Sequence, residues 1–218
     1  MPFQTLTTVT TAATSQDLTT LALVKAELGV TDTASDTLLA AWITRASAAI
    51  AQYCNRIFAA ETLRDDVLPE RDPYPWQVPG TFAPLQLSRR PVLASPVVTV
   101  SVMGEALDAA TDFLVDRAAG QIVRLDAAGR PRAWTPDPTS VVYRAGYDQI
   151  PADVQDACIR LVRAQWWLRK RGDPMKRAED IPGVRKIEWW VDTSPEANGA
   201  MPRDVVDLLD TYRVPVIA

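Results

Sequence analysis

The chain has 218 residues, of which 47% are hydrophobic and 23% charged, and this composition is typical of a globular protein. It contains no histidine, which excludes Ser-His-Asp and Cys-His catalysis. A net charge of −4 gives no overall attraction for nucleic acid or anionic membranes. No apolar run has the length needed to cross a bilayer, and the Thr-rich residues 1–16 do not match a secretory signal. We therefore expect a soluble intracellular protein without a membrane partner.

Two helices are predicted before residue 60. The first runs from about residue 18 to residue 28 and ends at Gly29, a residue suited to a helix C-terminus. The second begins near Ser35 and continues to Cys54, with apolar side chains at helical spacing and many alanines that allow a neighbouring helix to approach closely.

Between residues 61 and 145 the pattern changes to short alternating runs interrupted by prolines, which excludes long helices. The runs FLVD and QIVRL, joined by RAAG, predict a β-hairpin. The Pro-rich residues 72–84 predict an extended surface loop. Strands are predicted at 85–87, 97–103, 113–116, 121–125 and 140–144.

Helical periodicity returns after Pro151 and ends at the cations before Gly172. Residues 172–200 are irregular by pattern, with VRKIEWWV as a short strand or helix. A last helix is predicted from Pro202 to about Tyr212, followed by an extended apolar tail.

These elements predict an α+β fold: a small, mainly α-helical bundle of about four helices with an inserted region of β-strands and a hairpin. The expected organisation is N-terminal helices at 1–60, a β-rich insertion with the Pro-rich loop at 61–145, and C-terminal helices with the tail at 146–218.

Charge is unevenly distributed along the chain. Residues 160–186 hold nine cations and three carboxylates, a local charge of +6 that leaves −10 for the remainder. A solvated helix end with a basic subunit interface is the favoured interpretation. The alternative is a DNA-binding accessory protein that uses the Trp-containing segment 160–190 for phosphate contact and base stacking. No helix-turn-helix or other nucleic-acid motif supports this alternative.

Adjacent Trp166 and Trp167 lie about 100° apart on a helix, so one of them is expected to be half exposed. Tryptophan is enriched at interface anchors, which makes this pair a candidate for oligomer contact. The alternative interpretation is that the helix has a wide apolar stripe, and that the β insertion covers both tryptophans. The candidate subunit interface comprises Trp166, Trp167, Arg169, Lys170 and Arg171.

Cysteines and carboxylates give no strong site. Cys54 and Cys158 occupy apolar helix faces and are predicted to be buried structural thiols that can face each other. A structural zinc site is improbable because the two cysteines are far apart in sequence. The acidic cluster of Asp65, Asp66, Glu70 and Asp72 does not match an EF-hand loop, and solvation of a loop explains it better than a bound cation. We expect no metal site, no cofactor and no catalytic residue.

Taken together, the segments resemble the head-tail connector, or adaptor, proteins of tailed bacteriophages and gene transfer agents. The resemblance spans nearly the whole chain in order, and it departs from the family at the Pro-rich loop and at residues 181–201. It rests on LTTLALVKAELGV, SDTLLAAWITRASAAIAQYCNR, LSRRPVLASPVVTVSVMGEAL, TDFLVDRAAGQIVRL, VVYRAGYDQIPADVQDACIRLVRAQWW and DVVDLLDTYRV.

The resemblance implies a non-enzymatic virion protein that assembles in the host cytoplasm. It would form a homo-oligomeric ring beneath the portal, and twelvefold symmetry is expected for this ring. The ring would extend the DNA channel, pass DNA without sequence-specific binding, and join the capsid to head-closure or tail-terminator proteins. The residues implied to bind the portal protein are Leu208, Leu209, Tyr212, Arg213, Val214, Val216 and Ile217. A carboxylate-dependent hydrolase using Asp65 and Asp66 is a third, weaker hypothesis.

Overall fold

The computed structural model describes residues 3–69, 83–135, 137–171, 178–181, 185–188 and 201–215. Its helices are α1 (Leu21–Leu28), α2 (Asp36–Cys54), α3 (Ala152–Arg171) and α4 (Arg203–Leu209), and α4 continues as a 3-10 turn, Asp210–Tyr212. Its strands are β1 (Phe3–Thr11), β2 (Glu61–Pro69), β3 (Leu85–Gln86), β4 (Thr99–Val102), β5 (Glu105–Ala106), β6 (Phe113–Asp116), β7 (Gln121–Leu125), β8 (Pro131–Arg132), β9 (Thr139–Ala145), β10 (Ala178–Ile181) and β11 (Arg185–Glu188).

The chain divides into two compact units, and each is discontinuous in sequence. The first unit comprises Met1–Ser15 and Ala59–Gln149, and the second comprises Gln16–Phe58 and Ile150–Ala218. β1 to β9 belong to the first unit, whereas the four helices and the β10–β11 hairpin belong to the second.

Two antiparallel sheets form the first unit. One has the strand order β1-β2-β9-β4-β5, and the other has the order β3-β7-β6 with β8 paired to β7. The predicted FLVD–QIVRL hairpin is confirmed as β6–β7, with Asp116 opposite Gln121. The two sheets share one core, which is built from residues of β2, β3, β4, β6, β7 and β9 and from the segments that connect them.

The prediction of a mainly helical bundle with an inserted β region is wrong. β1 to β9 build two sheets with a core of their own, and β1 precedes the first helix. The α+β class itself agrees with the structure. β1 was missed because a Thr-rich stretch has no apolar alternation, although threonine favours strands. β2 was missed because the carboxylates Glu61 and Asp65 occupy buried positions of its alternating pattern.

The four predicted helices are confirmed, and local signals explain their ends. The Thr20 hydroxyl accepts a hydrogen bond from the Leu23 amide and caps α1, which ends at Gly29 in the left-handed conformation. Asn55 adopts the same conformation at the end of α2. Buried apolar side chains of the helices form the core of the second unit: Val24, Leu39, Ile43, Ile50, Val154, Ala157, Val162, Val205 and Leu209.

Candidate assembly surfaces

The C-terminal half of α3 carries the two adjacent tryptophans. Trp166 is only 8% exposed and packs edge-to-face against Trp42, with ring centroids 6.4 Å apart. Trp167 is 54% exposed. The Lys170 ammonium lies 5.1 Å from the centroid of each ring, within cation–π distance. The prediction that one of the two tryptophans is half exposed is therefore confirmed, and the exposed one is Trp167.

Four consecutive exposed side chains, Trp167, Leu168, Arg169 and Lys170, form a surface that we call the α3 tip. An aromatic ring and an aliphatic side chain stand beside two cations there. Arg171 is the last residue of α3, and its side chain lies outside the described part of the structure. Of the five side chains predicted at the subunit interface, the structure thus exposes three and buries Trp166.

Cations nearer the start of α3 are already paired within the second unit. Arg160 forms ion pairs with Asp156 at 2.8 Å and with Asp204 of α4 at 3.1 Å. Arg163 pairs with Glu27 of α1 at 2.8 Å. These two cations tie α3 to α4 and to α1, and their charge is partly neutralised by these partners.

The C-terminal segment packs back on the end of α2. Leu209 is fully buried, and the Tyr212 ring lies 6.0 Å from that of Phe58. The Arg213 guanidinium lies 5.4 Å from the Tyr53 ring centroid, and the Val214 amide donates a 2.9 Å hydrogen bond to the Cys54 carbonyl oxygen. Of the apolar tail predicted after the last helix, Val214 is therefore held on the end of α2 within its own subunit.

The predicted portal-binding residues therefore differ in accessibility. Leu209 is a core residue, Leu208, Tyr212 and Val214 are half-buried, and Arg213 is exposed. Val216 and Ile217 lie outside the described residues. Arg213 is the one exposed side chain among the described members of the set.

A buried polar network joins β2, β9 and the LSRRPV segment in the first unit. The Tyr143 hydroxyl donates to an Asp65 carboxylate oxygen at 2.7 Å, and the Ser88 amide donates to the same oxygen at 2.9 Å. The Arg89 amide donates to the Tyr143 hydroxyl at 3.2 Å, while the Arg89 guanidinium pairs with Glu61. Burial and the nearby Asp65 carboxylate raise the pKa of Tyr143.

This network corrects the interpretation of the acidic cluster as a solvated loop. Asp65 is fully buried within β2, and its neighbour Asp66 forms a 2.9 Å ion pair with Arg64. Glu70 and Asp72 lie outside the described residues. Within the described chain, no group of three His, Cys, Asp or Glu side chains is placed to hold a metal ion. The signal in the sequence was the two-residue alternation of β2, which places Asp65 on the same buried face as Leu63 and Val67.

Both thiols are buried, as predicted, but each has its own partner. Cys158 Sγ lies 3.6 Å from the Ser47 hydroxyl, and Cys54 Sγ lies 3.9 Å from the Leu209 carbonyl oxygen. Burial raises the pKa of each thiol to about 11. Such thiols are protonated at neutral pH and serve as packing groups.

No described helix is long and apolar enough to span a membrane.

Comparison with known proteins gives a family-model match to part of the chain and a likeness of fold to solved structures. Residues 18–79 match the family model described as phage gp6-like head-tail connector protein. The resemblance to head-tail connector proteins is thereby confirmed. The matched stretch contains α1, α2 and β2, and so it includes parts of both units. A comparison with curated proteins gives no match.

Solved structures show a likeness of fold along nearly the whole chain. A chain in the neck of an empty gene transfer agent particle, computed with C6 symmetry, matches with a TM-score of 0.56 and 18% identity. The match covers 98% of this chain and 97% of that chain. Chains in the neck of the native particle, computed with C12 symmetry, and in the native virion match with TM-scores of 0.52 and 0.55 at the same identity and coverage. At this identity the likeness is one of fold.

Proposed function

We propose that the chain is a structural virion protein, a head-tail connector at the junction between capsid and tail of a phage or gene transfer agent particle. One observation carries this proposal: the fold is similar to that of a neck protein over 98% of the chain, and residues 18–79 also match the model of the connector family. A role in holding other proteins together needs complementary surfaces rather than reactive groups. We propose no catalytic residue and no cofactor for it.

We infer that the working form is a homo-oligomeric ring, twelvefold in the assembled particle. The neck structures to which this fold is similar were computed with sixfold and twelvefold symmetry. A closed ring needs two different complementary faces on each subunit. The α3 tip fits one of them, because an exposed tryptophan beside cations combines an apolar anchor with charge that can select an acidic partner surface.

We assign the contact with the portal protein to the exposed part of the C-terminal segment, centred on Arg213. Leu209 supports this segment from inside the second unit and does not itself reach a partner. The residues that follow Pro215 continue the same segment, and Val216 and Ile217 stay in the proposed portal contact. Head-closure or tail-terminator proteins are the proposed partners on the opposite side of the ring, and DNA passes through the lumen without sequence-specific binding.

Electron microscopy tests the proposal on both the purified chain and the particle. We expect rings of uniform diameter from the purified chain, alone or mixed with the portal protein, and density for the chain at the portal vertex. A chain that stays monomeric with portal present and is absent from purified particles would refute the connector role.

A paired substitution tests the portal contact. Arg213→Glu is expected to weaken portal binding by at least tenfold in a pull-down or interferometry assay. Arg132→Glu makes the same charge change on an exposed strand of the first unit and is expected to leave binding unchanged. Truncation at residue 202 is less informative than these variants, because it also removes the buried Val205 and Leu209. Equal binding by both variants would exclude Arg213 from the contact.

The DNA-binding alternative loses support from two observations in the second unit. Trp166 is buried against Trp42 and presents no face for base stacking. Arg160 and Arg163 are held in ion pairs with carboxylates. Salt-dependent binding of single-stranded or duplex DNA, abolished by Trp167→Ala, would restore this alternative.

A further inference from the structure

In the part of the chain that the structure describes, β1 is an unprotected edge strand of the five-stranded sheet. It pairs with β2 along one side, and it ends the strand order on the other. Residues 4–12 are exposed, including Leu6 at 62%. β1 has nine residues without a charge or a proline, the two devices that commonly block pairing at an edge. Its open row of backbone amides and carbonyls fits an added strand of another polypeptide.

The second unit contains a two-stranded ribbon, β10–β11, that is not part of a larger sheet in the described structure. β10 and β11 pair only with each other in the described structure, with Asp180 opposite Lys186 and Glu179 opposite Ile187. A two-stranded antiparallel ribbon is marginally stable by itself, and a third strand is generally needed for independent stability. Among the described residues, nothing pairs with the outer side of either strand of this ribbon, so each can accept such a strand.

We propose that the β10–β11 hairpin of one copy adds to the open edge of β1 in the neighbouring copy. The inference rests on the ring proposed above and names one of its subunit contacts. β1 and the hairpin belong to different units and are different in sequence, so their pairing is heterologous, as a closed ring requires. The other end of the five-stranded sheet offers only β5, which is two residues long and carries Glu105.

Self-pairing of β1 is the competing arrangement, and symmetry argues against it. Two β1 strands from two copies would pair about a twofold axis, which produces an isolated dimer rather than a rotational ring. Self-pairing would also leave the β10–β11 ribbon without a third strand. Hairpin addition pairs the open edge of β1 with one edge of the ribbon and gives the ribbon its third strand.

Cysteine cross-linking between separately purified variants distinguishes the two arrangements. Leu6→Cys places a thiol on β1, and Lys186→Cys and Ile187→Cys place thiols at adjacent positions of β11, which together sample both faces of that strand. The native Cys54 and Cys158 are buried, so the full-length background is suitable. Leu114→Cys, at an exposed position of β6, replaces Leu6→Cys in the control mixture.

We expect covalent dimers when Leu6→Cys is mixed with at least one of the β11 variants, at several times the yield of the control mixture. A double variant with both thiols is expected to give a ladder of cross-linked species. Yields no higher than the control in samples that form rings by electron microscopy would overturn the β1–hairpin contact and leave the connector proposal standing. Cross-linking of Leu6→Cys mainly to itself would overturn it in favour of β1 self-pairing. Absence of both rings and cross-links would contradict the ring as well.

Discussion

The Tyr143 hydroxyl and the Asp65 carboxylate form a 2.7 Å hydrogen bond between neighbouring strands in the core of the first unit. The same Asp65 oxygen accepts the Ser88 amide, and the Tyr143 hydroxyl accepts the Arg89 amide. Two side chains from the sheet therefore hold the backbone of the segment that contains LSRRPV. The other Asp65 oxygen is buried without a described partner. Loss of a further hydrogen bond to this carboxylate is therefore expected to be costly.

Tyr143→Phe tests this network with a minimal change. It removes one hydrogen bond from a buried carboxylate and leaves the Arg89 amide without its acceptor, which is expected to lower the free energy of unfolding by about 1.5–3 kcal/mol. Urea denaturation followed by circular dichroism measures the change. Asp66→Asn, which breaks an exposed ion pair with Arg64, is expected to cost about 0–1 kcal/mol. Equal effects of the two substitutions would contradict a central role for the network.

Gly146 lies where the chain turns after β9, and a side chain does not fit there. Its φ is +118°, and an added Cβ would stand 2.6 Å from the Ala59 carbonyl oxygen. Gly146→Ala is expected to cost about 1–3 kcal/mol from backbone strain, and more from the clash, or to prevent folding. Gly104 has φ +89° but open space around its Cβ position, so Gly104→Ala isolates the backbone cost. Thermal unfolding should show a clearly larger loss for the Gly146 variant.

The adjacent tryptophans are expected to respond differently to the same substitution. Trp166→Ala removes a buried ring that packs on Trp42 and should lower stability by about 3–5 kcal/mol. Trp167→Ala should change the stability of the monomer by about 0.5 kcal/mol or less, because its ring is largely exposed. It should also reduce ring formation in sedimentation velocity. Rings that form at unchanged concentration in the Trp167 variant would remove the α3 tip from the subunit interface.

Alkaline pH is expected to destabilise the fold through the buried thiols. In the folded chain Cys54 and Cys158 have pKa values of about 11, whereas the ordinary thiol value is 9.0. The unfolded chain therefore binds fewer protons between pH 9 and pH 11, and stability falls as the pH rises through that range. Cys158→Ala should flatten the fall by up to about 1.4 kcal/mol per pH unit. An unchanged slope in that variant would show that the Cys158 thiol does not cause it.

Helices were predictable because their signals are local. Thr20, Gly29 and the apolar spacing of α2 mark boundaries without reference to the rest of the chain. β2 was not predictable in this way, since Asp65 in a core position makes sense only beside Tyr143 and Ser88. The packing of Tyr212 and Arg213 on the end of α2 likewise depends on residues distant in sequence.

The resemblance to head-tail connector proteins was recognisable because the order of weak segments along the chain is specific even where each segment is not. Which side chains of a predicted site are accessible required coordinates. Trp166 and Trp167 are indistinguishable as sequence letters, and Leu208 and Leu209 are too, but one member of each pair is committed to the core of the second unit. Partner surfaces of this kind are defined by what the fold leaves exposed.

β1 and β2 are neighbours in the sheet, yet both α1 and α2 lie between them along the chain. β1 cannot complete its hydrogen bonds until β2 has been brought beside it, because the two strands are far apart in sequence. Pairing across such a separation carries a loop-closure entropy and slows folding relative to local contacts. The folding rate of the first unit is therefore expected to depend on the helical segment that joins its two parts, although that segment contributes no strand to the sheet.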